Sequence, residues 1–404
     1  MNKHIELLAP AGDLDRAKIA INFNANAIYF GGKKYSLRAR ANNFTISEIK
    51  KVIVYAHKNK VKVYIVINII CHNSMIHGFK KYLDKIMLCN PDGLICADPY
   101  IMDVIHKYYP KIAIHVSTQQ SITNSKAALF WKTTVGAKRV ITAREVDFQN
   151  LKLMIKNLKN KMDVEYFIHG ALCVSYSGHC MMSNIFSLRD PNVGGCAQSC
   201  RWYWKLYDKN KKIISNKFML SAKDLCHISN LKKLIKIGVN SLKIEGRMKS
   251  SHYIATICNN YAHALNDYYH NCLTQKRITM YINDLAKAAN RLTSVGWFNG
   301  NPNNYQMIYN KDQKNSVLQN FVFIIKKKIS KFVYEIISKN YLNVNNKLEV
   351  FGSSHDLITN IKIKKIFDVN NQQYVEIINK PMRLYRIELD CQNLKVGDFG
   401  RVFK

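Results

Sequence analysis

The sequence predicts an α/β protein: a parallel (β/α)8 barrel of the TIM type, carrying a cysteine-bearing insertion after strand seven and followed by a small all-β barrel. Three observations carry this. Eight short apolar runs alternate with helix-spaced segments over residues 5–245. Their interval is broken once, between the seventh run and the eighth. Beyond residue 318 the helical spacing gives way to closely spaced strands separated by Asn-rich turns. Parallel strands need crossover helices, and eight such units can close into a ring, although the same alternation also allows an open doubly wound sheet.

The runs are IELLA (5–9), AIYFG (27–31), VYIVIN (63–68), GLICA (93–97), AIHVS (113–117), RVITA (139–143), VEYFI (164–168) and SLKIE (241–245). Helix signals follow the first three, in DLDRAKIAINFN, TISEIKKVIVYAHKN and SMIHGFKKYLDKIML. This assigns residues 1–250 to the barrel, with the insertion at 170–220. Residues 251–315 read as a helical extension, with Ile254, Ile257, Tyr261 and Leu265 at helix spacing and the turn GWFNGNP near its end. Residues 316–404 hold the β domain, in the runs FVFIIKKK, VYEIIS, KLEVF, NIKIKKIF, QYVEIIN and YRIEL.

The 404 residues carry a net charge of +34, a field that draws in polyanions, nucleic acid first. The abundance of Lys, Asn and Ile also fits codon drift in an AT-rich genome, which would account for part of that charge. The lysine runs are dispersed, as on a broad basic face rather than a tail. No signal-peptide pattern or membrane-length apolar run is present, so a cytoplasmic, membrane-free protein is expected.

In a reducing compartment eleven cysteines are not a disulfide framework. Four of them, Cys173, Cys180, Cys196 and Cys200, crowd into the insertion with the spacing C-x6-C-x15-C-x3-C. This lacks the C-x-x-C knuckles of most structural zinc sites, and a [4Fe-4S] cluster or a zinc held by four thiolates both remain open on residue types alone. Cys226 is a possible substitute ligand, whereas Cys71, Cys89, Cys96, Cys258, Cys272 and Cys391 read as small packed hydrophobes.

Barrel enzymes keep their chemistry at the carboxyl ends of the strands. There the sequence places Arg38, Arg40 and Asn43 after strand two, Gln119 after strand five, Arg144 and Glu145 after strand six and His169 after strand seven. Glu245, Arg247 and Lys249 follow strand eight. His169, Glu245 and Arg144 are candidates for chemistry, and Arg38, Arg40, Asn43, Gln119, Arg247 and Lys249 for binding an anionic substrate, since guanidinium forks suit carboxylates and phosphates. The spacing of Glu165 and His169 would mimic a metal pair on a helix, but the segment reads as a strand. Trp202, in the aromatic run RWYWKLY, is a candidate for stacking an unpaired base.

The run EYFIHGALCVSYSGHCMMS (165–183), the segment RDPNVGGCAQSCRW, the opening ELLAPAGDLDRAKIAINFNANAIYFGG, and the blocks SLRARANNF and SLKIEGRMKS resemble the signature of the collagenase-like peptidase family of bacteria. The resemblance covers nearly the whole chain. Members of that family hydroxylate RNA or ubiquinone precursors, whatever the family name says. A single barrel with one small β domain is similar to the branch that makes 5-hydroxyuridine at the wobble position of tRNA by prephenate-dependent chemistry. The resemblance implies a [4Fe-4S] cluster on Cys173, Cys180, Cys196 and Cys200, prephenate as a dicarboxylate co-substrate, the tRNA anticodon arm as partner, and an electron donor. Two other readings stand beside it: a peptidase, for which no local hydrolase motif is present, and a non-catalytic tRNA-binding protein stabilised by zinc.

Overall fold

The computed structural model describes residues 4–37, 42–289, 291–309 and 319–403. Eight parallel strands close into a barrel: β1 (Glu6–Pro10), β2 (Ala27–Gly31), β3 (Lys62–Ile67), β4 (Gly93–Cys96), β5 (Ala113–Val116), β6 (Arg139–Ile141), β7 (Asp163–Gly170) and β8 (Ser241–Ile244). Neighbours pair in chain order, and Leu242 of β8 lies opposite Tyr166 of β7 on one side and Leu7 of β1 on the other. The ring is complete, which excludes the open sheet, and every one of the eight apolar runs is a barrel strand.

Several of the helices between the strands begin at satisfied caps. Thr45 and Glu48 form a reciprocal capping box at Ile46–Lys58, and Asp13, Asn124 and Asp147 accept backbone N–H groups at Leu14–Asn22, Ser125–Val135 and Phe148–Leu158. Helix Ser251–Tyr269, directly after β8, packs on β1 and on Leu14–Asn22, and so completes the outer layer beside the first helix. Gln275–Ala286 packs on it in turn.

Strand residues alternate between two cores. Leu7, Ile28, Ile65, Leu94, Ile168 and Leu242 face the helices. Inside the ring lie Leu8, Tyr29, Tyr64, Val66, Ile95, Ile141 and Phe167, together with the buried charges Arg139, Glu165 and Lys243. Charges inside a barrel are tolerable only when paired. Glu165 accepts from Arg139 at 3.0 Å and from Lys243 at 2.6 Å, while Glu6 accepts from Tyr64 at 2.7 Å, from Ser241 at 2.9 Å and from Arg139.

The carboxy-terminal region is a closed six-strand antiparallel barrel of β9 (Gln319–Lys328), β10 (Val333–Ser338), β11 (Lys347–Gly352), β12 (His355–Asp368), β13 (Leu384–Leu389) and β14 (Phe399–Phe403). The ring runs β11-β14-β9-β10-β13-β12 and closes through β12 and β11. Five of the six expected runs are barrel strands. QYVEIIN is not: only Gln373–Tyr374 and Ile377–Ile378 pair, each outside the ring, and although Ile378 is buried in the core, Tyr374 is largely exposed. Strand β14 takes its place. The domain packs on the large barrel through Phe23 against Phe351 and Phe399, and through the fully buried Arg401, which reaches Asp284 at 2.9 Å and Glu349 at 3.1 Å.

Candidate active site at the barrel mouth

The insertion leaves from Gly170, at the carboxyl end of β7, as expected. Gly170 has φ +109, and a Cβ there would stand 2.3 Å from the carbonyl oxygen of Glu245, so only glycine lets the chain turn this close to the end of β8. Three other strand-end loops hold the insertion across the mouth. Ser177 N donates to the Glu145 carboxylate at 2.9 Å, Arg144 N donates to Ser177 Oγ at 3.3 Å, and the Ser121 hydroxyl donates to the Ser177 carbonyl. On the far side Ile70 N donates to the carbonyl of Asn192 at 3.0 Å.

Below this cover lies a cavity of about 160 Å³, whose lining includes Gln119, Arg144, Glu245, Arg247, Cys173, Cys180 and Cys196, all singled out in the sequence. Arg144 lies over the Phe167 ring at 4.4 Å, donates to the Ala171 carbonyl at 3.0 Å and stands 3.6 Å from the Glu245 carboxylate. Arg247 is buried and donates to Ser36 Oγ at 2.9 Å and Asn43 Oδ1 at 2.6 Å, so Asn43 reaches the site by holding a guanidinium.

The cysteines enter from the insertion. Cys173 and Cys180 shift each other's acidity in opposite senses: the neighbouring thiol, with burial, raises Cys173, and Cys173 lowers Cys180. Burial raises Cys200, which also feels Cys196 and Cys180. Cys200 accepts from Leu220 N at 3.0 Å through its carbonyl and, unlike the other three, does not line the cavity. Among the described residues no three His, Cys, Asp or Glu side chains grip the position of a single ion.

Four expected residues lie elsewhere. His169 does not face the cavity: the pairing of β8 with β7 slips between Lys243–Phe167 and Ile244–His169, and this irregularity turns the imidazole outward against Tyr253 and Tyr261. There Nδ1 lies 3.4 Å from the Tyr261 hydroxyl, and burial lowers the imidazole pKa to about 4. Lys249 turns to Asp224 at 3.5 Å, a carboxylate that also holds Arg291. Trp202 is on the outside of the insertion, stacked on Trp204 at 5.9 Å. Cys226 lies on a short strand antiparallel to β7, its sulfur 3.9 Å from the Tyr261 hydroxyl, and is no part of the cavity. Arg38 and Arg40 lie outside the described residues. Of the cysteines read as packed hydrophobes, Cys272 is exposed.

Sequence reasoning missed Lys243, Asn68, Tyr176 and Asn192, which also line the cavity. Lys243 sits 4.3 Å from the centre of the Tyr29 ring, and burial lowers its pKa, partly offset by Glu165. No histidine lines the cavity among the described residues.

A model of peptidase family U32 matches residues 12–308, from the first barrel helix to just before the carboxy-terminal barrel. The chain belongs to peptidase family U32. Within the family it is 36% identical over 402 residues, 96% of this chain and 93% of the relative, to tRNA hydroxylation protein P1 of Bacillus subtilis (strain 168). It is 34% identical over 263 residues to the 23S rRNA 5-hydroxycytidine C2501 synthase of Escherichia coli (strain K12), covering 65% of this chain and 39% of that one. A relative from Porphyromonas gingivalis (strain ATCC BAA-308 / W83), named Collagenase, is 29% identical over 308 residues, 73% of each chain. No helix among the described residues is long and apolar enough to cross a membrane.

Proposed function

We propose that this U32 chain is a cytoplasmic RNA-hydroxylating enzyme that converts the wobble uridine of tRNA to 5-hydroxyuridine. In this reading Cys173, Cys180, Cys196 and Cys200 hold a [4Fe-4S] cluster, and a dicarboxylate of the prephenate kind supplies the hydroxyl group. One observation carries it: Cys173, Cys180 and Cys196 converge with Arg144, Arg247 and Lys243 on a single cavity at the mouth of the barrel. The likeness to a tRNA hydroxylation protein over nearly the whole chain supports the same reading.

By residue type four thiolates from one loop are a donor set for a [4Fe-4S] cluster as well as for a single zinc, and the reading takes the cluster. An iron-sulfur cube spreads four thiolates over a wider frame and would supply electron-transfer or Lewis-acid chemistry beside a bound base.

The chain's own groups do the positioning. A space of about 160 Å³ admits a nucleobase or a small dicarboxylate but no stem of RNA, so the target nucleotide must be unstacked and inserted. Arg144, braced by Ala171 and Glu245, and Arg247, braced by Ser36 and Asn43, present guanidinium groups fixed in direction, as bidentate carboxylate binding requires. Replacing C–H by C–OH is a two-electron oxidation, so an oxidant must enter with the hydroxyl donor or through a redox partner. The peptidase reading finds no histidine among the described residues that line the cavity to serve as base for its serines and cysteines.

The test is nucleoside mass spectrometry of tRNA from cells lacking the gene, complemented with wild type or with Cys173→Ala. The expected result is 5-hydroxyuridine restored by wild type alone. Its persistence in the deletion strain, with no other oxidative route active, overturns the assignment. One zinc and no iron or sulfide in protein purified without oxygen would instead favour the non-catalytic binding protein.

A further inference from the structure

Between Cys200 and β8 the insertion throws out a two-stranded ribbon, Trp204–Tyr207 with Ile213–Phe218, in the register Trp204 to Phe218, Leu206 to Ser215 and Tyr207 to Ile213. Almost nothing covers it. Trp202, Tyr203, Lys205, Tyr207 and both Ile213 and Ile214 are exposed, as are Lys209, Lys211, Lys212 and Lys217. A lone two-stranded ribbon is marginally stable in water and gives little to a core, so this one is built as a projection. Its root is firm: Trp204 Nε1 donates to the Ser199 carbonyl at 3.1 Å, the Trp204 ring lies 4.4 Å from that of Phe186, and Leu220 N donates to the Cys200 carbonyl.

The charge is one-sided. Lys205, Lys209, Lys211, Lys212 and Lys217 face a single acid, Asp208, and none of the five lysines has an ion pair among the described residues. Asp208 offsets only one of the five charges, and its carboxylate accepts Asn210 N at 2.9 Å and Lys212 N at 2.8 Å and so shapes the turn. Unpaired lysines beside exposed aromatic rings match the two needs of RNA in an open conformation, phosphate neutralisation and a stacking face. Each strand of up to six residues reaches roughly 20 Å, enough to follow a backbone away from the cavity.

We propose that the ribbon Trp204–Phe218 is an RNA-binding arm: its lysines hold the sugar–phosphate backbone flanking the nucleotide that enters the cavity, and Tyr207 offers a stacking face. This rests on the RNA-hydroxylating reading above. Both share the cysteine loop, which joins the cavity wall at Cys196 to the root of the arm at Ser199 and Cys200.

The test measures binding of unmodified tRNA to the full-length protein by fluorescence anisotropy over a range of salt concentrations. It compares wild type with the triple variant Lys209→Ala, Lys211→Ala, Lys212→Ala, whose exposed sites leave the fold intact, as a thermal melt verifies. The expected result is binding about tenfold or more weaker for the variant near physiological salt, with the slope of log affinity against log salt shallower by about 2 to 3. Wild-type protein that binds tRNA steeply, beside a variant with the same affinity and slope, overturns the arm and leaves the hydroxylase reading standing; the ribbon would then be a surface for protein. Wild-type protein that does not bind tRNA at all overturns both.

Discussion

Lys243 and Glu165 meet at 2.6 Å beneath the cavity, the ammonium of one and the carboxylate of the other both shut away from solvent inside the barrel ring. Arg139 approaches the same carboxylate at 3.0 Å, so one anion answers two cations, and Glu6 supplies the second anion. Removing one member of such a set leaves a buried charge without compensation. Lys243→Met is expected to lower stability by about 3–5 kcal/mol. Lys243→Met combined with Glu165→Gln recovers part of that loss, because the excess negative charge left beside Arg139 is gone. Denaturant titration of the two singles and the double measures the coupling, and simple additivity would show that the pair is energetically independent.

The cysteines separate by position. Cys173→Ala removes a thiol from the cavity wall, whereas Cys226→Ala acts behind β7 at the Tyr261 hydroxyl. Under the proposed function Cys173→Ala loses most of its iron and sulfide after anaerobic reconstitution, and Cys226→Ala keeps the wild-type content. Equal iron loss in both would place the ligands wrongly.

Gly178 and Gly78 form a matched pair for backbone strain. Both have positive φ, +76 and +82, but a Cβ on Gly178 would stand 2.1 Å from the Gln119 carbonyl oxygen, while nothing lies within 4 Å of one on Gly78. Gly78→Ala is expected to cost only conformational strain, about 1 kcal/mol. Gly178→Ala must push the cysteine loop off the strand-five loop, and under the proposed function should lower iron retention severalfold with little further loss in melting temperature. Iron content and a melt of each variant distinguish a displaced loop from a destabilised fold.

The fold was legible because the barrel strands carry an outward apolar series and most are followed by a helix-spaced segment, a pattern that length and periodicity expose directly. The mouth loops were legible for the same reason: once strands five, six and eight are placed, Gln119, Arg144, Glu245 and Arg247 must follow their ends. His169 was not, since the slip in pairing that turns it away from the cavity leaves no mark in composition. Lys243 was hidden by an ordinary habit: a lysine between Leu242 and Ile244 reads as the solvent face of a strand, and in a closed ring that face is the interior. Strand β14 was missed because Gly400 breaks its apolar run. A Cβ there would stand 2.3 Å from the Phe323 ring, so the glycine is a packing requirement that looks like a turn.

The junction of the two barrels carries a pH dependence of definite sign. His252 stacks on Phe321 at 5.1 Å, and burial, with Arg401 beside it and only Asp284 opposing, holds its pKa down to about 3, against an ordinary value of 6.5. Between those two values the unfolded chain binds a proton that the folded chain refuses, so stability falls as pH drops from 6.5 toward 3 and is flat with respect to this group above about 7. At pH 5 the unfolded state gains about 2 kcal/mol from this histidine. His227, lowered to about 3, and His169, lowered to about 4, act in the same window. His252→Phe keeps the ring stacking and removes the proton site, so the stability difference between pH 7 and pH 5 should shrink by about 2 kcal/mol. Denaturant midpoints at the two pH values measure it; an unchanged difference would mean that the imidazole finds a way to protonate without leaving its place between the barrels.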